Sequence, residues 1–112
     1  SVGGGFYCYN NKLETLEGCP QSVGDFYCHG NELTDFIGFP EFWEGVIDFR
    51  YNPVYEILKL FPVDKWCKSI YWINEYEVIQ GKSIILPRLE EVFSQLKLDI
   101  PNIINIEGYE IV

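Results

Sequence analysis

Cysteine and histidine are the residue types in this sequence that could support metal or nucleophilic chemistry, and both are scarce. The chain contains four cysteines and a single histidine, His29. A zinc site typically draws on closely paired ligands such as Cys-x-x-Cys, and the sequence contains no such pair. Cys28 and His29 are adjacent on a predicted strand, so their side chains point to opposite faces. We therefore expect no bound metal and no cofactor.

Cys67 is the strongest candidate nucleophile because Lys65 and Lys68 flank it, and nearby cations favour the reactive thiolate. No histidine follows it in the chain, however. Helical spacing instead places Cys67 beside Trp66 and Ile70 on an apolar stripe, which favours a packing role. Glycines 3–5 precede a predicted strand rather than a helix and lack a following Lys-Ser/Thr, so they do not indicate a phosphate loop. The sequence predicts no enzyme.

A repeat with a period of 20 to 21 residues organises the first half of the chain. Residues 1–21, 22–41 and 44–58 align, and their apolar positions alternate as in short strands. Cys8 and Cys28 then point inward as neighbouring buried thiols, with a bridge between them as the alternative. The aligned residues are Phe6, Phe26 and Ile47; Cys8, Cys28 and Phe49; Asn11, Asn31 and Asn52; and Leu13, Leu33 and Val54. We expect the three asparagines to form a ladder of hydrogen bonds to the backbone.

The spacing apolar-x-apolar-x-x-Asn-x-apolar-x-x-apolar, together with the recurring words F-Y-C and N-x-L, resembles the short leucine-rich repeat proteins of bacteriophages and other viruses. The resemblance implies an α/β solenoid of two to three repeats over residues 1–58. Residues 59–112 would form a helical carboxy-terminal cap of the same continuous domain, with a possible terminal strand. Because the sequence has no methionine and Ser1–Val2 aligns with Ser22–Val23, we expect the carboxy-terminal part of a longer solenoid.

The second half of the chain changes to helical spacing. Pro53 stands at a plausible first helical position, and apolar residues recur through Phe61. A second helix is predicted over about residues 63–77, closed by Gly81, and a third from a Ser83 cap through about Leu96. The tail over residues 103–112 alternates as a hairpin or terminal strand does.

Composition narrows the choice of partners. Lys plus Arg number 8 against 17 Asp plus Glu, so the basic surface that drives nucleic-acid binding has little material here. No apolar run reaches the roughly 20 residues that span a bilayer, and we expect no membrane partner. Unbridged cysteines favour a reducing compartment, and the resemblance implies the host cytoplasm or a virion. The expected partner is another protein, from the host or the virion.

The strand face opposite the core is the candidate binding surface. In the family it resembles, this face is concave, and tyrosine and arginine are enriched at binding hot spots. Its residues here are Tyr7, Tyr9, Tyr27, His29, Asp48 and Arg50, with Tyr51 beside them. The plain alternative is that strand tyrosines follow β propensity alone.

Three functions remain open at this point. The first is a non-enzymatic protein-binding module, a viral accessory or virion component, that uses this face. The second is a structural element that assembles through the exposed strand edge of its amino-terminal repeat. The third is a fragment of a cysteine-dependent enzyme, similar to the ubiquitin ligases attached to some bacterial leucine-rich repeat effectors, that uses Cys67.

Overall fold

The structure, a computed structural model, describes residues 5–17, 22–40, 42–43, 45–103 and 105–112. The chain divides into two compact units, residues 1–55 and residues 56–112. The comparison of Ser1–Val2 with Ser22–Val23, and the first two of glycines 3–5, lie outside the described residues.

The first unit contains five strands of two residues each in two small sheets. Strands β1, β3 and β5 pair side by side in that order, and β2 pairs with β4; every pair is parallel. The strands are β1 Phe6–Tyr7, β2 Ser22–Val23, β3 Phe26–Tyr27, β4 Phe42–Trp43 and β5 Ile47–Asp48. The three-stranded sheet carries the candidate binding residues.

The register of this sheet follows the alignment found within the sequence. Phe6 lies opposite Phe26, and Phe26 lies opposite Ile47. Hydrogen bonds continue past the strand ends, where the amide of Cys8 donates to Tyr27 O at 2.8 Å and that of Cys28 donates to Asp48 O at 2.7 Å. Internal similarity thus predicts which segments pair and in which register.

Aromatic side chains fill the core of the first unit beneath the sheet. Phe26 and Phe49, at equivalent faces of neighbouring strands, are fully buried with ring centroids 6.3 Å apart. Phe39 packs against both of them, at 5.8 Å from each, and Phe36 lies edge-on to Phe39 at 5.0 Å. These edge-to-face and tilted contacts are the arrangements that aromatic rings prefer, and they fix the inward side of the sheet.

The second unit contains two longer helices. They are preceded by helix α1, a single turn at Tyr55–Leu58 that begins at the last residue of the first unit. The sequence predicts a longer helix there, from Pro53 to Phe61. Helix α2, Trp66–Glu75, follows a 3₁₀ turn at Val63–Lys65, in agreement with the prediction over 63–77. Helix α2 ends where Glu77 adopts a left-handed φ of 51° and Val78 N–H donates to Ile73 O, so Gly81 does not close it.

The remaining elements form a mixed sheet and a third helix. Strands β6 Ile79–Gln80 and β7 Ser83–Ile84 form an antiparallel hairpin around Gly81, and β8 Glu110–Ile111 pairs parallel with β7. The predicted terminal strand is therefore confirmed. Helix α3 is Leu86–Gln95, and the predicted Ser83 cap is wrong because Ser83 belongs to β7. Pro87 lies in the first helical turn, where a missing N–H costs little.

The second unit has its own apolar core. The rings of Phe61 and Phe93 stack at 4.3 Å, and the Trp66 indole donates to Phe61 O at 3.0 Å. Fully or almost fully buried aliphatic residues come from α2, the hairpin and α3: Ile70, Ile73, Val78, Ile84, Leu89 and Val92. This unit thus buries its helical stripes within itself.

The predicted leucine-rich repeat solenoid with a helical cap is wrong. The described residues form three small sheets of two-residue strands and three helices in two compact units, without a repeating stack. The first sheet has three strands, and the next strands in the chain turn antiparallel around Gly81 and build a separate sheet. The repeat pattern specifies three strand partners but does not extend into a solenoid.

Candidate functional site

Six side chains project from the outer side of the three-stranded sheet, and we call this set the tyrosine face: Tyr7, Tyr9, Tyr27, His29, Asp48 and Arg50. They form two rows across the sheet. Strand register places Tyr7, Tyr27 and Asp48 in the first row. Backbone hydrogen bonds from Asn10 to His29 and from Gly30 to Arg50, both 2.9 Å, align the second row two residues further along.

The rings of the tyrosine face are stacked on one another. Tyr7 and Tyr27 lie 5.2 Å apart between centroids with planes 6° from parallel, and Tyr9 and His29 lie 5.1 Å apart at 1°. Tyr7 is still 62% exposed and Tyr9 48%. The side chains are therefore ordered by their neighbours while a large part of their surface remains open to a partner.

Asp48 and Arg50 form the charged end of the face. Arg50 donates from Nε to Asp48 Oδ1 at 2.9 Å and from Nη2 to Oδ2 at 2.8 Å, a bidentate pair. This hydrogen bonding holds the pKa of Asp48 below its usual value, and the same contact raises the pKa of Arg50. Both groups are consequently charged at neutral pH, and the guanidinium is held in place.

His29 lies between the rings and the charged pair. Its Nδ1 is 3.5 Å from Asp48 Oδ2, too long for a good hydrogen bond, and is buried without a hydrogen-bond partner among the described residues. Because Arg50 already uses both carboxylate oxygens of Asp48, the His29–Asp48 pair lacks the geometry of an oriented general base. The imidazole is therefore positioned by its stack on Tyr9 and not by a hydrogen bond to Asp48.

Tyr27 lies in the middle of the tyrosine face, and the carboxylates of Asp25 and Asp48 act on its hydroxyl. Desolvation raises the pKa of Tyr27, and the negative charge of Asp25 raises it further. Asp25 itself accepts a hydrogen bond from the amide of Val46 at 2.8 Å, which fixes it beside the sheet. Tyr27 therefore keeps its proton and offers a hydrogen-bond donor.

Two asparagines connect the strands behind the face. Asn31 donates from Nδ2 to Cys8 O at 2.8 Å and Cys28 O at 3.0 Å, and it accepts from the amide of Leu13 at 3.2 Å. Asn52 makes the corresponding set one strand further along, including Cys28 O at 2.8 Å. Asn11 is exposed and donates to carbonyls of its own loop, Cys8 and Tyr9. Asn31 and Asn52 thus each link two neighbouring strands, whereas Asn11 bonds only within its own turn.

Cys8 and Cys28 form a disulfide, with Cα atoms 4.7 Å apart, within the usual range for such a bond. The expectation of two free thiols is wrong here, since the inward positions of adjacent strands bring the sulfurs together. The disulfide also counts against the predicted reducing environment. Among the described residues, no helix is long and apolar enough to cross a membrane.

The other predicted residues lie at the margins or elsewhere. Tyr51 is 76% exposed at a left-handed φ of 61°, and the Arg50 guanidinium lies 5.8 Å from its ring centroid. This places Tyr51 next to the tyrosine face. Cys67 lies on α2 in the second unit, half-buried, and is not part of a disulfide. The described residues contain no group of three or more His, Cys, Asp or Glu able to hold a metal ion.

Two residues that position the face were missed by the reasoning from sequence. A Cβ at Gly5 would come within 2.5 Å of the Tyr7 hydroxyl, so the missing side chain leaves room for the ring. Asp25 also positions the face, because it accepts a hydrogen bond from the amide of Val46 and its charge acts on Tyr27. The available signal was a glycine directly before β1 and an aspartate directly before β3.

Comparison with known proteins gives no match to a family model, to a curated protein or to a solved structure.

Proposed function

We propose that this protein is a non-enzymatic binding module that holds another protein on the tyrosine face. The observation that carries the proposal is the pair of ring stacks, in which Tyr7 and Tyr9 are ordered by Tyr27 and His29 yet remain widely exposed. Tyrosines bury a large area at low entropic cost and keep a polar tip, which is why they dominate binding hot spots. Pre-ordered side chains lower the cost of association further.

The charge of the first unit indicates which kind of partner segment it would attract. Residues 1–55 contain eight acidic side chains against two basic ones, Lys12 and Arg50, and Arg50 is neutralised by its pair with Asp48. A cationic segment would be attracted by this field, and its lysine or arginine side chains could contact the tyrosine rings. We therefore propose a partner segment rich in Lys or Arg. The viral origin that the sequence resemblance implies remains a prediction.

The test is a selection of displayed peptides on the immobilised chain, followed by calorimetric affinity measurements. Selected peptides should be basic, and the double variant Tyr7→Ala with Tyr9→Ala should weaken binding by about tenfold or more per tyrosine. Tyr71→Ala is the matched control, because Tyr71 is an equally exposed tyrosine in the second unit. Peptides that bind the double variant as tightly as the wild type would exclude the tyrosine face.

A second candidate function is assembly through the outer edge of β1. Strand β1 is at one end of the sheet, and Asn11 lacks the inter-strand bonds that Asn31 and Asn52 make among the described residues. An open strand edge can pair with another chain. Light scattering should then give a mass that rises with concentration, reduced by Asn11→Lys but unchanged by Asn102→Lys. A monomer at all concentrations would contradict assembly.

A further inference from the structure

A cleft in the second unit, which we call the lysine cleft, gathers the side chains of Lys65, Lys68 and Lys97. It has a volume of about 450 Å³ and lies between α2 and the end of α3. One wall is formed by Lys65, Lys68 and Trp72, whose spacing places them along one side of a helix. Gln95, Leu96 and Lys97 form the other wall. The two lysines that flank Cys67 in sequence thus line this cleft, whereas Cys67 is not among its lining residues.

The charge of the cleft is opposite to that of the chain. The sequence has 17 acidic and 8 basic residues, yet three lysines and no carboxylate line this one cavity. Within the part of the chain that the structure describes, the ion pairs involve His29, Arg50 and Lys59, and none of these three lysines. The cleft therefore presents cations that are available to an anion.

Backbone hydrogen bonds close both helix ends at this cleft. Helix α2 begins directly after the 3₁₀ turn, and the amide of its first residue, Trp66, donates to Val63 O. The end of α3 is closed by its own turn, in which Lys97 adopts a φ of 60° and donates its amide to Ser94 O at 3.0 Å. The attraction for an anion therefore comes from the three lysine side chains.

The remaining lining residues select a flat, partly apolar ligand. The Trp72 indole is held between Tyr71, edge-on at 5.0 Å, and Tyr76 at 5.2 Å. Tyr76 Oη donates to Gln95 Oε1 at 3.2 Å, which leaves the Gln95 amide nitrogen as a donor. The indole and Leu96 supply an apolar wall, and the volume is within the range of small-molecule sites, roughly 300–1,000 Å³.

We propose that this cleft binds a small aromatic molecule that carries a phosphate group, of the size of a nucleoside monophosphate. The phosphate is held by Lys65, Lys68 and Lys97, and the aromatic ring lies against Trp72. This site does not depend on the protein-binding role proposed for the tyrosine face, because it is built from residues of the second unit alone.

The experiment is a titration of the full chain with adenosine monophosphate, followed by the indole N–H signals of the three tryptophans in NMR spectra. We expect saturable binding in the millimolar range or tighter, with the signal of Trp72 shifting more than those of Trp43 and Trp66. Trp72→Phe assigns the signal. Phenyl phosphate should bind as well, whereas inorganic phosphate and adenosine should each bind more weakly because they offer only half of the contacts.

Lysine variants identify the anion contacts. Lys65→Gln, Lys68→Gln and Lys97→Gln should each weaken binding of adenosine monophosphate by about two- to fivefold, as expected for loss of one solvent-accessible ion pair. The matched control is Lys82→Gln, an exposed lysine in the β6–β7 turn, which should leave the affinity unchanged. The absence of saturable binding, a dominant shift of Trp43 or Trp66, or an equal loss in Lys82→Gln would each overturn the proposal.

Discussion

The two units of this chain are stabilised in different ways. In residues 1–55, two-residue strands are joined by backbone hydrogen bonds, two buried asparagines and a disulfide around an aromatic core. In residues 56–112, the helices α2 and α3 and a mixed sheet enclose an aliphatic core with one stacked phenylalanine pair. The first unit thus has specific links between its strands, both hydrogen bonds and a disulfide, in addition to its core, whereas the second depends mainly on apolar burial.

This difference determines where each unit places its proposed binding site. A sheet buries one side and leaves alternate residues of every strand on the other, so the first unit gains an ordered plane of tyrosines. Helices bury one stripe and leave the rest of their surface open, and three lysines in α2, just before it and just after α3 converge at a cleft. Weakening the links between the strands should therefore affect the tyrosine face and leave the lysine cleft intact.

Reduction of the Cys8–Cys28 disulfide is expected to change the stability of the first unit relative to the second more than any other perturbation. The bond closes a loop of 20 residues, and its loss should lower the free energy of unfolding of the first unit by about 3 kcal/mol. Hydrogen exchange with and without a thiol reductant should show faster exchange at the Cys28 amide and no change at Ile70 in α2. The variant Cys8→Ala is the control, since reductant should have no effect on it.

A wild-type chain whose exchange rates are unaffected by reductant would show that the two cysteines are thiols. Cys8 and Cys28 would then be buried thiols, which favour a reducing environment.

The asparagine links allow a sharper test, because one residue type occupies three aligned positions with different surroundings. Asn31→Ala leaves the carbonyls of Cys8 and Cys28 and the amide of Leu13 without this partner, which should cost about 2–3 kcal/mol in urea unfolding. Asn11→Ala removes only exposed local bonds and should cost less than about 1 kcal/mol. Equal costs at the two positions would contradict the role given to the inter-strand bonds.

The internal repeat allowed part of the first unit to be predicted from the sequence. The pairing of Phe6, Phe26 and Ile47 follows directly from their alignment, since equivalent residues of neighbouring segments meet in one register. The solenoid did not follow, because local periodicity does not determine how many strands continue or where the chain starts a new sheet. The start of α3 was misplaced for a related reason: Ser83 suits both a helix cap and a strand, and its pairing with Gln80 and Glu110 decides between them.

The candidate sites were predictable to different degrees. Alternation along a strand placed Tyr7, Tyr9 and Tyr27 on one side, but the ring stacks and the Asp48–Arg50 pair depend on rotamers that spacing does not specify. The lysine cleft was not predicted at all. Lys65 and Lys68 are close in sequence, but Lys97 joins them only through the packing of α3 on α2.

The smallest expected effect is that of acid on the Asp48–Arg50 pair, which distinguishes the charged end of the tyrosine face from its rings. Because the pKa of Asp48 is lowered in the folded chain, its contribution is complete above the unfolded value of 3.8 and is lost as the pH falls through the folded pKa. Arg50 is exposed, so solvent screening should limit the contribution to less than about 1 kcal/mol. The variant Asp48→Asn should therefore be less stable than the wild type at neutral pH, and the difference in free energy of unfolding should shrink in acid. The control variant Asp64→Asn should not change the free energy of unfolding. A difference between Asp48→Asn and the wild type that stays constant as the pH falls would show that the carboxylate charge does not stabilise this end of the face.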